Sequence, residues 1–68
     1  MKEVTKEEFF KPIYDLRLDV HPSIVGNFPY TSVWRFPRNP GAPAYGKTVD
    51  RLEGGLIKTT YFVSEAQA

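Results

Sequence analysis

Over residues 30–37 the side chains alternate with period 2, placing Tyr30, Ser32, Trp34 and Phe36 on one side and Thr31, Val33 and Arg35 on the other. That period belongs to a half-buried strand. Pro29 and Pro37 punctuate its ends, because proline cannot donate to a strand ladder. A second run at 56–63, rich in β-branched and aromatic residues, predicts another strand, and residues 44–52 are moderately strand-like. Glu53, Gly54 and Gly55 lie between these two, forming either a tight Gly-Gly hairpin or a wider loop from Leu52 to Lys58.

Near the N-terminus the period changes to that of a helix. Thr5 and Glu8 have the spacing of a capping box, in which each side chain bonds the other's backbone amide, so a helix starts near Lys6. Phe9, Phe10, Ile13 and Tyr14 follow at spacings of three and four and give one apolar stripe. Pro12 removes an internal hydrogen bond and crowds the preceding turn, so the helix is expected to stop near Lys11 or to kink and run on to Tyr14. Residues 15–29 have no long period. Leu16, Leu18 and Val20 alternate and suggest a short edge strand ended by Pro22, with Ile24 and Val25 plugging the core from a loop and Gly26-Asn27 as a turn. Residues 37–46 contain three prolines and two glycines and read as a stiff exposed loop.

The predicted fold is therefore α+β, one short N-terminal helix packed on a three-stranded antiparallel β-meander. A single domain spans residues 1–68, ordered over about 4–63 and frayed over 64–68. Parity leaves apolar residues on both sheet faces. Trp34, Phe36, Tyr61 and Val63 are assigned to one face, and Val33 and Phe62 have the opposite parity in their strands. One short helix cannot cover both faces, so either the 15–29 segment wraps the second or a partner does.

Composition narrows the function. A chain of 68 residues without cysteine has neither disulfides nor thiolate metal sites to staple it, and folding buries only about 60% of its unfolded surface. Stability must come from packed aromatics or from association. Nine basic against eight acidic residues give a net charge of +1, which argues against a dedicated nucleic-acid protein while allowing a local basic patch. The N-terminus lacks the apolar run of a signal peptide, and no stretch approaches the roughly 18 apolar residues of a membrane span. A cytoplasmic protein without membrane contact is expected.

Gly41, Gly46, Lys47 and Thr48 match the spacing of the phosphate-binding loop of nucleotide hydrolases. That loop must open a helix, whereas here it leads into a strand-like run, and Pro43 deletes an amide from the cradle. Lys47 and Thr48 read better as strand residues. His21, the only histidine, has Asp19 two residues away, but no nucleophile accompanies it and the carboxylates show no paired spacing. No enzyme, metal or cofactor is expected.

The remaining candidate is the basic and aromatic region 34–51, where Arg35, Arg38, Lys47 and Arg51 face a single acid, Asp50, with Trp34, Phe36 and Tyr45 interleaved. Trp, Tyr and Arg dominate the energetics of protein interfaces, and the stiff loop presents Arg38 and Asn39 with little entropy lost on docking. Partner contacts are thus expected at Trp34, Arg35, Arg38, Asn39, Tyr45, Lys47 and Arg51. In general character, a compact cysteine-free chain with a capped helix, a proline-punctuated middle and no catalytic set, the sequence resembles the small orphan proteins of phages and other mobile elements. That resemblance implies a non-enzymatic protein-binding module, for example an inhibitor that occludes a larger host enzyme or defence complex. The alternative is single-stranded nucleic-acid binding, with bases stacked on the aromatic sheet face and phosphates met by its cations. A homodimer through an exposed strand edge is open under either reading.

Overall fold

The computed structural model describes residues 1–65. The chain order is β1 (Lys2–Val4), α1 (Lys6–Asp15), β2 (Val20–Asn27), β3 (Tyr30–Pro37), β4 (Gly46–Glu53) and β5 (Leu56–Val63). The strands form one antiparallel sheet in the order β1-β5-β4-β3-β2. The expected three-stranded meander is corrected: β3, β4 and β5 form it, but β2 extends one edge and β1 the other, giving a five-stranded, mostly β protein. Residues 66–68 of the expected frayed tail lie outside the described residues.

Helix α1 starts where the capping box puts it. The Thr5 hydroxyl accepts from the Glu8 amide at 3.1 Å and the Glu8 carboxylate accepts from the Thr5 amide at 3.0 Å. The bonds with Thr5 hold the Glu8 carboxyl below its ordinary range. The helix runs through Pro12 to Asp15, one residue beyond the longer of the two expected ends. Proline's missing amide costs one internal bond, while Phe9 and Ile13, one turn apart, both pack into the core. Past the C-cap, Arg17 takes the left-handed conformation (φ 51) and the Leu18 amide donates to the Ile13 carbonyl at 3.1 Å. This six-to-one closure turns the chain back toward the sheet.

Strand β2 is the largest departure from expectation. Pro22 does not end it but lies within it, opposite Arg35. The Arg35 carbonyl accepts from the Tyr45 amide at 2.8 Å, so the backbone polar groups of Arg35 point away from β2. Pro22 therefore occupies a non-hydrogen-bonded pair, and its missing donor falls on the open outer edge. Ile24 and Val25 are strand residues, 70% and 55% exposed, instead of core plugs. The turn follows at Phe28-Pro29, a cis peptide, instead of at Gly26-Asn27. The β4–β5 connection is the tight alternative: Gly54 and Gly55 both have positive φ, 56° and 81°, the conformation that suits a two-residue hairpin to the twist of its strands.

The core sits at the helix end of the sheet. Phe9 is fully buried, with Tyr45 and Val63, and Val4, Phe10, Ile13, Leu18, Val20 and Tyr61 pack around them. The Tyr45 hydroxyl donates to the Phe9 carbonyl at 2.7 Å, tying the entrance of β4 to the helix. Burial pushes the Tyr45 phenol above its ordinary pKa of 10.0. A raised phenol pKa means that the unfolded chain loses this proton first, so stability falls as pH rises above about 10. Tyr45→Phe should cost about 1 kcal/mol at neutral pH. It should also flatten the alkaline loss of stability, and denaturant titrations of both proteins at pH 8 and pH 10.5 check this. Equal alkaline slopes would remove Tyr45 as the source.

Among the described residues no helix is long and apolar enough to cross a membrane.

Candidate binding face

Register decides which side chains meet. Trp34 of β3 stands opposite Lys47 of β4, and Lys47 stands opposite Phe62 of β5. These three occupy one face, with Phe36 two residues from Trp34 and His21 of β2 opposite Phe36. Tyr61 and Val63 have the other parity and point to the helix side with Val33 and Thr48. The grouping of Trp34 and Phe36 with Tyr61 and Val63 is therefore corrected: Phe62 is their companion. Of the 15–29 segment, expected as a candidate cover for the second face, residues 20–27 are used up as an edge strand. The Trp34 face is left bare.

Near one end of that face the Lys47 ammonium lies 4.8 Å from the Trp34 ring centroid and 5.6 Å from that of Phe62. Lysine's aliphatic stem covers apolar surface while its charge stays near the rings and solvent. The rings of Trp34 and Phe36 are 6.4 Å apart and those of Phe36 and His21 6.0 Å, both pairs near parallel. All five side chains are half-buried. Toward the hairpin tips the same face carries Tyr30, Arg51 and Lys58 in one cross-strand row, then Glu53 and Leu56. Lys58 pairs with Glu53 at 3.7 Å, and Glu3 stands opposite Phe62. The face is aromatic at one end and mixed in charge at the other.

The seven residues expected to bind a partner do not converge. Trp34, Lys47 and Arg51 share the bare face. Arg35 projects from the opposite one, its guanidinium carbon 5.3 Å and 5.7 Å from the Phe9 and Phe10 ring centroids and its Nη1 donating to Thr48 Oγ1 at 3.3 Å. Tyr45 is a core residue, 4% exposed. Arg38 pairs with Asp19 at 2.9 Å, and Asn39, exposed in the same loop, accepts from the Ala42 amide. Three residues of the face, His21, Phe36 and Phe62, were not among those expected. Phe62 was accessible from the sequence, since a two-residue turn at Gly54-Gly55 pairs Glu53 with Leu56 and, six residues on, Lys47 with Phe62.

The phosphate-loop spacing at 41–48 opens strand β4 instead of a helix, with Lys47 on the aromatic face and Thr48 buried on the other. His21 stacks on Phe36, while Asp19 is held by Arg38. Among the described residues no three His, Asp or Glu side chains cluster to hold a metal ion. Comparison with protein-family models, curated proteins and solved structures gives no match to this chain.

Proposed function

We propose that the protein is a small non-enzymatic binding module that docks on a larger protein through the bare sheet face, with Trp34, Lys47 and Phe62 as anchors. The observation that carries this reading is the aromatic and cationic cluster at one end of a sheet face that no element of the chain covers. Large aromatic and cationic side chains, already part-desolvated by their neighbours, are the residues that concentrate binding energy at interface centres. They stand on regular strands, so docking freezes little backbone. Such a module acts by occupying its partner's surface, as an inhibitor of a host enzyme or defence complex does.

The Arg51 and Lys58 pair beside Tyr30 favours a second reading, single-stranded nucleic-acid binding. It ranks lower because Glu53 offsets Lys58 and Glu3 adjoins Phe62, which leaves little surplus charge for phosphates.

The test is capture from a lysate of the native host with tagged protein, with and without nuclease. A protein retained in stoichiometric amount after nuclease treatment, and weakened at least about 10-fold by Lys47→Glu or Arg51→Glu, is the expected result. Retention that vanishes with nuclease selects the second reading. A partner held equally well by both variants would place its contacts elsewhere.

A further inference from the structure

Two rows of large side chains cross the bare face, with a row of small ones between them. Trp34, Lys47 and Phe62 form one ridge, and Tyr30, Arg51 and Lys58 form the other. Between the ridges Ser32, Val49 and Thr60 stand opposite one another on β3, β4 and β5, and Val25 of β2 continues the row to the open edge. A trough therefore runs across the strands. Its walls rise from positions about 13 Å apart along each strand, and its floor crosses the four strands over about 14 Å. The Ser32 and Thr60 hydroxyls flank Val49 on that floor. Neither bonds another described residue, whereas on the opposite face the Thr48 and Thr59 hydroxyls bond Arg35 and Asp50.

We infer that this trough takes an extended, acidic segment of the partner protein, lying across the strands with carboxylates directed to both walls. The inference rests on the protein-binding reading of this face and names the chemistry of what docks there. Charge selects the occupant. Lys47 on one wall and Arg51 on the other form no ion pair among the described residues, and Lys58 is met only by Glu53 at 3.7 Å. Glu53 and Glu3 lie outside the trough, opposite Leu56 and Phe62. An unpaired cation on each wall is complemented by a carboxylate on each side of the occupant.

The trough also sets the backbone conformation of its occupant. In an extended chain successive side chains point to opposite sides, so neighbouring acids reach opposite walls while peptide groups face the floor. There the two hydroxyls, each able to donate and to accept, bond peptide groups that an extended segment leaves free. A helix bonds its own backbone and is about 10–12 Å across. The ridge side chains narrow the gap between the walls, so a helix would rest on top of them and leave the hydroxyls unmet. About 14 Å of floor holds roughly four extended residues. A nucleic-acid strand fits less well. The Trp34 ring carries the Lys47 ammonium at 4.8 Å and lies near parallel to Phe36, which leaves little ring face on which a base stacks.

The probe is hexaglutamate, acetylated and amidated at its ends, titrated into the isotope-labelled chain at low salt and followed by amide NMR spectra. Shifts centred on Ser32, Val49 and Thr60, half-saturating below about 1 mM, are expected. Ser32→Phe and Thr60→Phe fill the trough without changing its charge and should each weaken hexaglutamate at least about 10-fold. The same spectra show whether each variant is folded, and the wild-type shift map decides the matter even if neither is. Failure to bind below about 1 mM, shifts centred on lysines or arginines elsewhere, or tighter binding of hexathymidylate than of hexaglutamate overturns the inference. The two variants in the lysate capture separate it from the reading beneath it. A retained protein weakened by Lys47→Glu but held fully by both phenylalanine variants removes the trough and leaves the protein-binding reading standing. One indifferent to Lys47→Glu removes both.

Discussion

Phe9→Ala should be among the most destabilising single substitutions in this chain, removing about 3–5 kcal/mol. Phe9 is fully buried and stands at the hub of the core, with ring centroids of Phe10, Tyr45 and Tyr61 at 5.0, 5.4 and 5.6 Å and the Arg35 guanidinium at 5.3 Å. Truncating a buried Phe costs about 3–5 kcal/mol, the transfer of the ring plus the cavity left behind. A chain of this length has roughly 3–10 kcal/mol in all, so one substitution removes a third or more of it. Among the described residues only Tyr45 and Val63 share its degree of burial among hydrophobics, and neither fills the gap without leaving its own place. A urea titration followed by the fluorescence of Trp34 measures the loss. A change below about 1 kcal/mol would mean that the helix contributes little to holding the sheet.

Local signals in the chain predicted local structure well, and long-range register poorly. The Thr5 and Glu8 pair announced the helix start, and alternation over 30–37 and 56–63 announced β3 and β5, because each signal depends only on residues that are near neighbours in the chain. β1 escaped notice because three residues are too few to show a period, and its pairing with β5 closes across nearly the whole chain. β2 escaped because Pro22 and Gly26 argue against a strand until the free edge is known to take the missing donor. The binding face was legible in part for the same reason. Parity within β3 separates Trp34 from Arg35, but the face each one occupies relative to β4 is set after the long 38–45 loop by the Tyr45-to-Arg35 hydrogen bond, which no local pattern encodes. Proximity in sequence thus made Arg35 look like a neighbour of Trp34. In space it belongs to the helix side, where it packs on Phe9 and Phe10.

Gly46→Ala should be as damaging as Phe9→Ala, for a reason that lies in the backbone. A methyl group at position 46 would sit 2.3 Å from the Phe62 carbonyl oxygen, 3.1 Å from Val63 Cα and 3.0 Å from the Phe9 ring. The first two contacts are with the strand to which β4 is hydrogen-bonded, opposite Val63 in the register, so relief requires β4 and β5 to part where the core is tightest. The conformation of Gly46 is not left-handed, and the cost is purely one of space. Overpacking a well-filled core typically costs about 1–3 kcal/mol and occasionally more; a clash with backbone belongs at the upper end, because a rotamer change cannot relieve it. The double variant separates the two contributions. If the Phe9 ring were the obstacle, Phe9→Ala would make room and Gly46→Ala would cost little on top of it. Because the Phe62 carbonyl is the nearest atom, the second substitution should still destabilise what remains. Stability of the four proteins of this cycle, measured by urea titration in a buffer with a stabilising osmolyte so that the weakest variants fold, gives the coupling energy. Near-complete rescue in the double variant would show that β5 yields at Phe62, and that the helix, through Phe9, sets how closely the chain must pass at the entrance of β4.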